Sequence, residues 1–222
     1  VEWTGHVVLI SWTGTMFEYL MPMLWTGLYP NTLLDRSARA AVRIQQDYAT
    51  KARVPWGISE SAYSEQNAEG HYRYFAFGLP MIGLKVNAPS NRLVISPYSS
   101  LLALTIDPEN AIENMRRMAR QKWSGDYGFL EAVDYGPKPG RLSWRRGTLV
   151  RMWMAHHQGM TLLSLCNFLS EGAFQRWFQA EPRVQATELL LQEKPLHAKA
   201  LRSVRPDIAK LAHVHGKLKA IG

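Results

Sequence analysis

Three glutamates stand among aromatic and small neighbours rather than in charged runs: Glu18 in T-M-F-E-Y-L-M-P, Glu60 in V-P-W-G-I-S-E-S-A-Y and Glu131 in Y-G-F-L-E-A-V-D-Y. A carboxyl in apolar surroundings either collects hydrogen bonds or has its pKa raised, and the raised state is what a general acid needs. The plain alternative is that each acid caps a helix or pairs with an arginine. That alternative weakens when three such acids occur in one chain.

Trp12, Trp56, Tyr63, Tyr72, Tyr74 and Tyr135 lie in the same stretches. Flat aromatic faces in a cleft suit sugar rings, whose C–H groups stack on a π-system while the hydroxyls find polar partners at the rim; ordinary core packing is the competing role. M-A-H-H-Q-G-M adds His156, His157 and Gln158 where an apolar helix should begin. Adjacent histidines should point to different faces of a helix, and neither an H-E-x-x-H pattern nor cysteine ligand spacing accompanies them, so no metal and no cofactor is expected. Cys166, in L-S-L-C-N-F, has no cationic neighbour in sequence to activate it and reads as an inert thiol. G-x-S-x-G, P-loop and G-x-G-x-x-G patterns are absent.

Positioning such groups needs a packed scaffold, and 222 residues with 46% hydrophobic and 20% charged residues can build one. The single cysteine rules out an intrachain disulfide framework, and no apolar run approaches the ~18 residues of a membrane span. The net charge of +8 is concentrated at the end: seven Lys and Arg from Lys194 to Lys219 face Asp207 alone, which leaves +2 for residues 1–193. A nearly neutral body argues against a nucleic-acid partner. The division expected is a domain over 1–193 and a basic helix or tail over 194–222. A start at Val1 without a basic or apolar leader suggests a fragment and no signal peptide.

The elements alternate. Residues 15–28 are apolar nearly all round, as a helix buried on every side must be, while 32–52 carry a stripe of Leu34, Ala38, Ala41, Val42, Tyr48 and Ala49 opposite Arg36, Arg39 and Arg43. Tyr98–Ile106 is apolar again and runs into Asp107-Pro108-Glu109, a helix start. That outer helix should turn Ala111, Ile112, Met115, Met118 and Ala119 inward and pair Glu113 with Arg117. His157–Leu169 and Ala173–Gln192, broken at Pro182, form a third inner and outer pair. Between the pairs, 54–97 and 123–148 read as long functional loops. The fold class predicted is all-α, with inner and outer helices in two concentric layers around a cleft; an ordinary bundle is the other arrangement with this pattern.

The five segments S-W-T-G-T-M-F-E-Y-L-M-P, V-P-W-G-I-S-E-S-A-Y, Y-G-F-L-E-A-V-D-Y, M-A-H-H-Q-G-M and P-R-V-Q-A-T-E-L-L-L-Q-E, in that order, resemble the glucoamylase-like domain of bacterial cyclic β-1,2-glucan synthases from about Ser11 to Glu193. The resemblance implies an (α/α)6 toroid of helix hairpins, of which this chain would hold an incomplete, C-terminal part. It also implies β-1,2-glucan as substrate, cyclising transglycosylation as the activity, and endo-hydrolysis or non-catalytic glucan binding as alternatives. Motif match assigns Glu60 and Glu131 as the catalytic pair, and Glu18, Trp56, Tyr63, Tyr135, His156, His157 and Gln158 as cleft residues. Phe129-Leu130 departs from the Phe-Tyr that the family places before the second glutamate. The implied partner is an upstream segment of a larger synthase, and the implied location is the cytoplasm at the inner membrane.

Overall fold

Helices form in the computed structural model where apolar periodicity and capping residues coincide; residues 1–3, 5–85, 92–136 and 147–194 are described. Thr15 caps α1 (Met16–Leu20) by accepting from the Glu18 N–H, while the Glu18 carboxylate returns to the Thr15 N–H. Pro22 stands in the first turn of the 3-10 segment that continues it (Met21–Leu24), so the inner element is split there. Thr32 caps the long α2 (Leu33–Ala52), which ends on Arg53 in the left-handed conformation. The second pair is α3 (Pro97–Leu102) with α4 (Pro108–Arg120), the latter capped by Asp107. The third is α5 (Ala155–Leu169) with α6 (Ala173–Gln179) and α7 (Pro182–Thr187). The helices fall where the sequence reading places them, but α5 turns Ser164 and Asn167 inward and exposes Leu162 and Leu169, so it is not the helix buried on every side that its apolar composition predicts.

The stretches read as loops carry strands, which corrects an all-helical description. A hairpin near the start pairs β1 (Glu2–Trp3) with β2 (His6–Val7). The next pairs β3 (Glu60–Gln66) with β4 (Tyr72–Ala76), its register shifting between Ala62 and Gln66. A three-stranded antiparallel sheet orders β5 (Val94–Ile95), β8 (Ala132–Asp134) and β9 (Thr148–Val150), and a tight hairpin joins β6 (Ser124–Gly125) to β7 (Gly128–Phe129). These strands are short and irregular, so a period of two barely develops in sequence.

Inward stripes differ from the sequence reading at single residues. On α4 the buried set is Ala111, Asn114, Met115 and Met118, while Ile112 and Ala119 are exposed. Asn114 takes the inward place because its amide hydrogen-bonds both backbone groups of Trp56. Glu113 pairs with Arg120 at 2.7 Å rather than with Arg117, whose guanidinium instead donates to the carbonyls of Arg53 and Val54. Leu34 is exposed on α2, and Gln45 and Ile44 are buried in the stripe. The 194–222 expectation falls, beyond Lys194, outside the described residues. No described helix is long and apolar enough to cross a membrane.

Candidate active site

The segment before Glu60 is built by side chains standing in for strands. Gln45 donates to the Ile58 carbonyl at 2.8 Å and accepts from its N–H at 2.9 Å, and Asn114 does the same for Trp56 at 2.8 and 3.2 Å. Between them, Gly57 at φ +128° approaches α3 so closely that a Cβ would lie 2.6 Å from the Ser99 hydroxyl. Ser59 accepts from the Phe17 N–H of α1 and from the Tyr98 hydroxyl of α3, and that hydroxyl also reaches the Glu60 carbonyl. Four helices, α1 to α4, thus fix where Glu60 leaves the backbone.

Glu131 stands immediately before β8, its N–H bonded to the Met152 carbonyl. Its carboxyl is buried, accepts from the Ala62 N–H at 3.2 Å, and meets His157 Nδ1 at 2.9 Å. Phe129 is half-buried, Leu130 is buried, and both border the cleft beside it. With Glu131 as acceptor, Nδ1 of His157 is the donor of that pair, and Nε2 lies 3.4 Å from the Tyr74 hydroxyl. The imidazole stacks on Tyr98 with centroids 3.7 Å apart and planes 11° apart. His156 lies beside it, its ring centroid 4.0 Å away. The first turn of α5 therefore brings adjacent histidines together instead of separating them, contrary to the sequence argument. A cleft of about 330 Å³ is lined by Tyr98, Glu131, His157, Gln158 and Thr161 among others.

Burial raises the Glu60 pKa; the Tyr74 hydroxyl and the charge of His157 oppose that rise, and the charge of Glu18 adds to it. Tyr74 is itself pushed up by burial and by the neighbouring Glu60. His156 is lowered by burial and by His157.

The remaining sequence-derived residues occupy other surroundings. Glu18 closes its own loop: Ser11 Oγ, Thr13 N and Oγ1, Gly14 N and Thr15 N all donate to it. Burial alone would raise its pKa, but these hydrogen bonds outweigh it and hold the carboxyl below its ordinary value. Trp56 is a buried core ring. Tyr63 is buried against Phe77 and under Arg92, its hydroxyl donating to Glu65. Tyr135 packs towards Trp123, and burial pushes its pKa up to about 12. The structure brings together Glu60, Glu131, His156 and His157, and Gln158 borders the cleft that Glu131 and His157 line. Tyr98 is the residue that sequence reasoning missed: it stands in an apolar run, and its partners Ser59 and His157 are remote in sequence.

The Glycoamylase family profile ("Putative glucoamylase") matches residues 1–182. The cyclic β-(1,2)-glucan synthase NdvB of Rhizobium meliloti is 39% identical over 186 residues, 84% of this chain and 6% of that protein. An endo-β-1,2-glucanase from Chitinophaga pinensis, solved with sophorotriose and glucose, superposes with a TM-score of 0.59 at 22% identity, over 86% of this chain and 45% of its own. An endo-β-1,2-glucanase mutant from Talaromyces funiculosus, in complex with β-1,2-glucan, gives 0.64 at 17% identity over 86% and 37%. The chain shares its fold with these glucanases and spans less than half the length of each of these three proteins.

Proposed function

The chain belongs to the glycoamylase family, and from that membership we propose that it is a carbohydrate-active domain performing cyclising transglycosylation on β-1,2-glucan. The observation that carries the reading is the convergence of Glu60 and Glu131 on one histidine pair, in a chain with 39% identity to a cyclic glucan synthase. Glu60 gives its proton to the glycosidic oxygen as the C1–O bond breaks. Glu131 bonds C1 transiently, since transfer with retained configuration needs a nucleophile on the opposite face. The hydroxyl at the chain's own non-reducing end then attacks C1, releases Glu131 and returns a proton to Glu60. Two of the four lone-pair directions of Glu131 are taken by Ala62 and His157, which leaves acceptor capacity for substrate.

His157, held by Glu131 and Tyr98, acts as a positioning residue; His156 and Gln158 offer polar contacts to sugar hydroxyls. Tyr63, Tyr135 and Trp56 support the walls from behind, and Glu18 shapes the 11–15 loop beside Glu60. A second reading, hydrolysis, is favoured by the glucanase identity of the solved relatives; water would replace the sugar acceptor.

Exposed Leu162, Phe168, Leu169, Trp177 and Phe178 on the third helix pair, with Leu189 and Leu190 just beyond it, support the view that an upstream segment of a larger synthase completes an (α/α)6 ring around this part. In that assembly the domain would sit in the cytoplasm at the inner membrane. Incubation with linear β-1,2-glucan and mass spectrometry separates the readings: rings, lighter than the linear glucan by one water, support transfer, short linear products support hydrolysis, and glucan left unaltered both by the chain alone and with the upstream segment supplied opposes both.

A further inference from the structure

We propose that Glu60, His156 and His157 form a chelating site for Zn²⁺ whose occupation shuts the proposed active site down. One ligand atom from each lies within 4.8 Å of the others. Zinc bound by imidazole and carboxylate holds its ligands at about 2.0–2.2 Å, so tetrahedral ligand atoms stand about 3.4 Å apart. The closing movement falls to Glu60, which is half-buried, and His156, which is exposed; His157 is fixed and buried.

The surroundings of His157 are those of a prepared ligand. Nδ1 of His157 donates to Glu131, so the unprotonated ring has its lone pair on Nε2, directed away from that carboxylate. A carboxylate behind a ligating histidine raises the basicity of the ring and sets its orientation. The only hydrogen-bond contact of Nε2 among the described residues is the long one with Tyr74. Stacking on Tyr98 stops the ring from turning away. With their centroids 4.0 Å apart, the two imidazoles stand close enough for one cation to take a ring nitrogen from each.

The consequence for activity rests on the proposed function, because a Zn²⁺ ion on the Glu60 oxygen occupies the site of the proton that the acid must deliver. The binding itself stands on the geometry alone, and calorimetric titration of the full chain with ZnCl₂ reads it without activity. His156→Ala and Glu60→Gln should each weaken the association at least about tenfold, since each removes a ligand. The tail contributes His197, His213 and His215, so a triple alanine variant of these should retain binding. Absence of Zn²⁺ association, an affinity unchanged by His156→Ala, or loss of binding in the tail variant alone would overturn the site. Zinc binding at the His156-dependent site with undiminished glucan turnover would leave the site intact and overturn its inhibitory role.

Discussion

The ring of His157 lies on the ring of Tyr98, centroids 3.7 Å apart and nearly parallel, and the Tyr98 hydroxyl bonds Ser59 and the Glu60 carbonyl. One side chain therefore ties the segment before Glu60 to the histidine that holds Glu131. Tyr98→Phe keeps the stack but removes a buried donor, and should cost about 1–3 kcal/mol of stability. Tyr98→Ala also removes the ring and should cost about 3–5 kcal/mol. Denaturant melts of both variants check the ordering; equal losses would show that the hydroxyl rather than the stack dominates.

Glu60 has a folded-state pKa raised chiefly by burial. A carboxyl raised on folding binds more protons in the native than in the unfolded state between the two pKa values, so its contribution to stability falls as pH rises through that window. Glu60→Gln removes the titration, and its stability relative to the natural chain should rise with pH there. Turnover, which needs the protonated form, should decline on the alkaline side of the same raised pKa. A pH series of melts and rates tests both signs.

Glu18 behaves in the opposite sense. Burial is outweighed by hydrogen bonds from Ser11, Thr13 and Thr15, which hold its folded pKa below 4.5. Its stabilisation is present above the unfolded value and is lost as pH falls through the folded one. Glu18→Gln places an amide donor among N–H groups and should cost about 1 kcal/mol near neutral pH after solvent screening, with the loss shrinking in acid. A loss independent of pH would contradict this account of the loop.

Trp56 is packed in the core with both backbone groups held by Asn114. Trp56→Ala should destabilise by about 3–5 kcal/mol through cavity formation. Urea titration measures it; a stable variant that only loses glucan affinity would return Trp56 to the cleft.

The positions of the helices were legible from their apolar patterns, α2 and α4 carrying arginines on one side only, whereas the near absence of polar positions in α5 misled, since that helix buries Ser164 and Asn167 and exposes Leu162. Asp107 before Pro108 marked the start of α4. What sequence could not carry were contacts made across the chain. Trp56 and Tyr63 looked like cleft aromatics because nothing local announces Asn114 or Phe77 beneath them. Tyr98 looked like core for the converse reason. The meeting of His156 with His157 depends on the first turn of α5 and on the carboxylate of Glu131, 26 residues away from His157.

The central claim is that Glu60 and Glu131 act together on β-1,2-glucosidic bonds. Turnover of linear β-1,2-glucan should be compared for the natural chain, Glu60→Gln and Glu131→Gln, each alone and supplied with the upstream segment of the matched synthase. The account predicts rings or shortened glucan from the natural chain, and losses of about 10²–10⁴ in rate for either variant, with folding preserved by circular dichroism. Turnover at the natural rate by either variant, or glucan left unchanged by the natural chain in both settings, would contradict it.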